Sequence, residues 1–266
     1  MADDGLGEGP EARDIPEHRS RTGLLLIVLL VAAAAVAAFL LLGDDEDDGE
    51  GTDGTTTSSV VDGTTTSSVV DGTTTTTPAG LEQPALWPAA GVVFTDPVAA
   101  SQDFLDQVLG AGEAGAFREG DARSGEVDAL FRGEDGSQEI VRSTLLVRQL
   151  GAEGGWFVIA AVNPNAAITV PDALAEVPAA PLTVEGIGRG FEAALNVSAR
   201  LAGTPGAPID EQQATGGAEA TPLPFSTTLD LTGVAPGSTV TILVRGGTGL
   251  ETDPGDFGAI PVVITR

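Results

Sequence analysis

The spacing of apolar residues divides this chain into stretches of different kinds. Leu24–Leu42 reads LLLIVLLVAAAAVAAFLLL, 19 consecutive apolar residues. At ~1.5 Å rise per residue such a helix spans roughly 28 Å, the thickness of the hydrocarbon core of a bilayer. Residues 23–43 are therefore expected to form a single transmembrane helix. A cleaved signal peptide is the rival reading, but its apolar region runs only ~7–15 residues before a small-residue site. Here the run is longer and ends in Phe39-Leu40-Leu41-Leu42. Beyond Gly43 the apolar signal nearly vanishes. DGTTTSSVV occupies Asp53–Val61, repeats identically over Asp62–Val70 and begins again at Asp71. Units with so little apolar surface build no core. Residues 44–85 are thus expected to be a disordered, acidic, Thr-rich stalk, either a plain solvated spacer or one bearing O-linked sugars.

From residue 86 the periodicity returns. Thr95-Asp96-Pro97 reads as a helix start, with a capping side chain followed by a proline whose missing N–H costs nothing at the first helical position. Val98, Phe104, Leu105, Val108 and Leu109 then fall on one face, and Gly110 supplies the stop. Three strand-like runs follow: Val127/Ala129/Phe131, Leu145–Leu150, and Trp156–Val162, the last apolar on both faces as a central strand is. Gly133–Gly136 and Gly151–Gly155 fit hairpin connections. One helix on a small antiparallel sheet, over residues 86–175, is the expected α+β domain.

After Pro178 the period becomes two. Leu182–Val184, Ala193 to Leu201, Phe225 to Leu231, Val240/Ile242/Val244 and Ile260–Ile264 alternate or are β-branched, and Pro/Gly clusters separate them. Residues 178–266 are expected to form an antiparallel β-sandwich.

Charge orients this plan. Arg19 and Arg21 precede the apolar run, and Asp44, Asp45, Glu46, Asp47 and Asp48 follow it. Arginine keeps its side cytoplasmic. Residues 1–22 are thus expected to be a disordered cytoplasmic tail, with the domains beyond the stalk extracytoplasmic at the cell membrane. The chain's formal net charge of -27 repels nucleic acid. It contains neither Cys nor Lys, and its one histidine is His18 in the tail. Beyond the membrane there is accordingly no disulfide, thiol nucleophile, imidazole base or lysine amine.

Several elements of the last segment look familiar together. Leu182-Thr183-Val184-Glu185-Gly186, Gly190-Phe191-Glu192-Ala193, Gly216-Gly217, Pro224-Phe225, Gly233–Gly237 (GVAPG) and Pro261-Val262-Val263-Ile264 occur in order. Residues 178–266 thereby resemble the immunoglobulin-like domain of bacterial spore-germination proteins. The resemblance implies an immunoglobulin-like fold in an extracytoplasmic module and supplies no catalytic residues. The usual germination domain is not recognisable in residues 86–172.

Candidate chemistry is sparse. Asp121, Arg123 and Glu126 can form a polar pocket with Arg148, or simply be surface charge at a turn. Trp156 can stack on a sugar or a peptide, or belong to the core. Asp253 and Asp256 can ligate Ca²⁺, as can the Asp210-Glu211 loop, yet such a site needs six or more oxygens from several segments; turn formation is the alternative. Asn196-Val197-Ser198 matches a glycosylation acceptor inside an expected strand. No catalytic, cofactor-binding or metal-binding residue is assigned and no cofactor is expected. The function expected is that of a non-catalytic, membrane-anchored interaction protein of the bacterial cell envelope, with a wall polymer or an envelope protein as partner. A carboxylate-based wall hydrolase and an accessory subunit or sensor are the alternatives.

Overall fold

The computed structural model describes residues 81–133, 138–218 and 220–265. The expected tail, membrane span and nearly all of the stalk lie outside them. No helix among the described residues is long and apolar enough to cross a membrane. The folded unit reaches back into the stretch the sequence assigns to the stalk: Ala85 is buried with Leu150 and Phe157, and Leu81 packs against them.

Helix α1 (Pro97–Phe104) starts as its sequence predicts. The Asp96 carboxylate accepts hydrogen bonds from the Ala99 N–H at 3.0 Å and the Val98 N–H at 3.4 Å, and Pro97 opens the first turn. The helix widens into a π-helical turn over Leu105–Leu109 and stops at Gly110, whose φ of 71° lies in the left-handed region. Ala100, Phe104, Leu105 and Leu109 are buried, and Val98 and Val108 pack at the edge of the same cluster.

Thirteen strands follow: β1 (Glu113–Asp121), β2 (Ser124–Arg132), β3 (Glu139–Leu150), β4 (Gly155–Val162), β5 (Ala166–Val170), β6 (Glu176–Pro178), β7 (Pro181–Gly190), β8 (Ala194–Leu201), β9 (Asp210–Thr215), β10 (Gly217–Ala218), β11 (Leu223–Asp230), β12 (Thr239–Gly246) and β13 (Phe257–Thr265). They form two sheets. The large one has the order β1-β2-β3-β4-β13-β12-β8-β9, with β6 added beside β13; the small one has the order β10-β7-β11, with β5 also paired to β7. Pairing is antiparallel except at β6–β13 and β10–β7. The large sheet runs on across the change of period near residue 178. Its joint is the pairing of β13 with β4 at Ala259 and Ala161.

Besides the small Ala85–Leu150–Phe157 cluster, two larger cores lie on this sheet. In the first, α1 covers Val127, Ala129, Leu145, Val147, Trp156 and Val158, together with Leu243, Phe257 and Ala259 from the far strands. In the second, Leu195, Val197 and Ala199 of β8 and Val240, Ile242 and Val244 of β12 meet Val184, Phe225 and Leu229 of the small sheet. Alternation does this work, since successive residues of a strand face opposite ways. On β12 the even-numbered residues enter the sandwich core, whereas Thr241, Leu243 and Arg245 take the opposite face, where Leu243 joins the first core.

Both sequence-predicted arrangements are present at this level, a helix on an antiparallel sheet and a β-sandwich. The strands β1 and β9 carry no apolar period in the sequence. β1 and β9 lie at the two ends of the large sheet and are mostly solvent-facing, so nothing selects for alternation there.

Candidate functional site

The outward side of β8, β9 and β12 forms the floor of a cleft of about 440 Å³. Register fixes which residues meet there. Arg245 pairs with Asn196, Leu243 with Ser198 and Thr241 with Arg200, while β9 sets Glu211 beside Ser198 and Gln213 beside Asn196. Val108 of the π-helical turn stands on one wall, and the loop Gly247–Glu251 on another.

Arg200 and Arg245 dominate this floor. The Arg200 guanidinium donates through Nη1 to the Gly206 carbonyl, while its Nε is buried without a hydrogen-bond partner. Arg245 donates to the carbonyls of Leu109 at 3.3 Å and Asp253 at 3.4 Å, both long. Neither forms an ion pair with a carboxylate among the described residues, all of whose ion pairs involve other arginines. Burial lowers the pKa of both, against the field of Glu211 and, at Arg245, of Asp253. A guanidinium nonetheless keeps its proton in a protein, so two positive charges remain.

Asp253 and Asp256 lie close by in the loop before β13, and they are held quite differently. Asp253 is 2% exposed and Asp256 7%. Arg142 of β3 forms a two-pronged pair with Asp253, Nε to Oδ1 at 2.9 Å and Nη2 to Oδ2, and reaches Asp256 at 3.5 Å. Arg189 of β7 donates to the other oxygen of Asp256 at 2.8 Å. Asp253 Oδ1 also accepts from the Gly255 N–H at 2.9 Å, where φ is +71° and a side chain would meet the Gly246 carbonyl. These carboxylates are therefore directed at guanidiniums rather than converging on a cation. Among the described residues no group of acids, histidines or cysteines has metal-site geometry.

The remaining sequence candidates are dispersed. Asp121 accepts from the Arg123 N–H at 2.8 Å in the β1–β2 turn, and that bond first, with the Ser124 hydroxyl, pulls its pKa down. Arg123 turns to the Gln149 carbonyl, and Glu126 pairs with Arg118. Arg148 stands opposite Ser124 across β2 and β3, and its charge also lowers the Asp121 pKa. Trp156 sits in the first core, edge-on to Phe117 with ring centroids 5.2 Å apart. Asp210 accepts from the Asp230 N–H at 2.7 Å and so ties β9 to β11. Asn196 lies within β8, as the strand reading has it, and Ser198 beside it is 1% exposed.

Sequence reasoning misses Arg142, Arg189, Arg200 and Arg245. The signal for the last two exists but is slight. Each is a charged residue in phase with the outward positions of a strand whose other phase is apolar, Val197/Ala199 on β8 and Ile242/Val244 on β12. Nothing in the linear order says that the two strands are neighbours. No family model, curated protein or solved structure matches this chain.

Proposed function

We propose that this chain is a non-catalytic binding protein tethered in a bacterial cell membrane, with residues 81–266 displayed outside the cytoplasm and residues 178–266 forming an immunoglobulin-like sandwich. The observation that carries the reading is the cleft on β8, β9 and β12, whose floor holds two half-buried guanidiniums without a carboxylate partner. Cationic groups left open in a concave site serve a ligand. The sequence supplies no imidazole, thiol or lysine beyond residue 43 with which to do chemistry there. A carboxylate-pair hydrolase needs two acids free to face a substrate. The buried pair Asp253 and Asp256 is engaged by Arg142 and Arg189. The tether rests on the Leu24–Leu42 run and its Arg-before, Asp-after flanks.

Cell fractionation combined with protease accessibility tests the reading. The intact chain is expected in the membrane fraction, with residues 81–266 cut from outside in whole cells and the 1–22 tail protected. Recovery in the cytosol, or protection of the folded unit in whole cells, overturns it.

A further inference from the structure

Arginine is used in two ways in the folded unit. Arg142 and Arg189 lie against buried carboxylates, whereas Arg200 and Arg245 line an open cleft with only carbonyl oxygens as partners. Leaving a buried charged donor unsatisfied is costly, and a stable fold avoids it unless something else fills the place. We propose that the cleft is a binding site for one carboxylate carried beside an apolar group, such as the C-terminal end of a peptide whose last residues are apolar. This deepens the binding role proposed above and rests on it.

Three features specify that ligand. First, a guanidinium presents its N–H groups in a planar fork that matches a carboxylate, and Arg245 spends its own only on two long bonds to carbonyls. Second, the site favours one negative charge over many. Glu211 and Glu251 also line the cleft, and the chain as a whole carries a formal charge of -27, so a polyanion is repelled. Third, apolar surface lies ready beside the charges. Leu250 on the cleft wall is 52% exposed, and Phe191, which itself lines the neighbouring hollow beside Arg189, backs the same loop with its ring against Gly249. The backbone at Glu192 and Ala193 takes positive φ of 54° and 61°, values that side-chain-bearing residues adopt only where the surrounding structure imposes them. The Phe191 N–H is fastened to the Gly247 carbonyl at 2.7 Å, so the ring is presented by a built turn.

The 12 arginines and the absence of lysine make the test direct, because selective ¹⁵N-arginine labelling reports every basic side chain. The full chain in detergent micelles is titrated with N-acetyl-Leu-Ala as the free acid, with the same dipeptide as its amide, and with inorganic phosphate. The Nε–H signals of Arg200 and Arg245 are expected to shift saturably with the acid, and not with the amide or with phosphate at equal concentration. Arg200→Gln and Arg245→Gln are each expected to weaken acid binding about ten-fold or more. Arg132→Gln, whose ion pairs among the described residues are with the exposed Glu113 and Glu139, is expected to leave it unchanged. Equal response to acid and amide, a phosphate response as strong as that to the acid, no response at all, or unchanged affinity in both cleft variants overturns the proposal. The acid–amide comparison is made on the unaltered chain, so it stands even where a variant fails to fold. A cytosolic chain that binds the acid sinks the envelope reading alone, whereas an envelope-displayed chain that ignores the acid sinks this one alone.

Discussion

The Arg142–Asp253–Asp256–Arg189 cluster and the Arg200/Arg245 cleft meet where Arg245 donates to the Asp253 carbonyl, yet they treat the same side chain in opposite ways. In the cluster every carboxylate oxygen of Asp253 and Asp256 faces a guanidinium, and the acids are buried to 2% and 7% exposure. It joins β3, β7 and the loop before β13, three places far apart in sequence. In the cleft the positive groups are left to carbonyls, and one N–H is left to nothing. The difference separates charge that holds the molecule together from charge that is kept available. The first is removed only at the expense of the fold. The second is removed at the expense of function.

Substitution makes that comparison breakable. The largest effect is expected from Asp256→Ala, which removes the only acid that pairs with Arg189 among the described residues and the second acid of Arg142. Loss of one partner from a buried pair costs about 3–5 kcal/mol, read as a fall in the midpoint of urea unfolding of the full chain. Asp253→Ala is expected to act similarly, since it also removes the acceptor for the Gly255 N–H. A near-neutral Asp256→Ala shows that the cluster is dispensable and erases the contrast.

Arg200→Leu comes next and points the other way. It deletes an unpaired buried N–H and keeps apolar volume, so stability is expected to stay within about 1 kcal/mol of the parent or to rise. A loss as large as that of Asp256→Ala puts Arg200 among the structural arginines.

The smallest effect concerns Asp128, an ion pair at the surface that serves neither region. Hydrogen bonding from Arg118 first, with help from the Thr144 hydroxyl and against burial, holds its carboxyl below the usual carboxylate range. A carboxyl lowered on folding adds stability above the unfolded value near pH ~4 and loses it as pH falls through the folded value. Asp128→Asn is therefore expected to lower stability slightly at pH 7 and to flatten its fall between about pH 4 and pH 2. An unchanged acid profile in denaturant melts shows the pair to be inert, as many exposed pairs are.

How much of this was legible beforehand follows from what each residue reports. The start of α1 was readable because Asp96 and Pro97 act through local geometry alone. The strands β4, β8 and β12 were readable because both faces, or one, must be apolar to meet a core. The edge strands β1 and β9 were not, since solvent makes no such demand. Asp253 and Asp256 drew notice as adjacent acids, but their role depends on Arg142, 111 residues away from Asp253. That Arg200 and Arg245 line one cleft depends in the same way on β8 lying beside β12, a fact of register that no local pattern encodes.

One feature of the large sheet bears on how the chain reaches this state. β13, the last strand, sits in the interior of the sheet between β4 and β12, and also takes β6 along its edge. While the chain emerges in order, β4 and β12 have no neighbour on those sides until residues 257–265 arrive. Closure of the large sheet is consequently a long-range event that must wait for β13, about a hundred residues after β4.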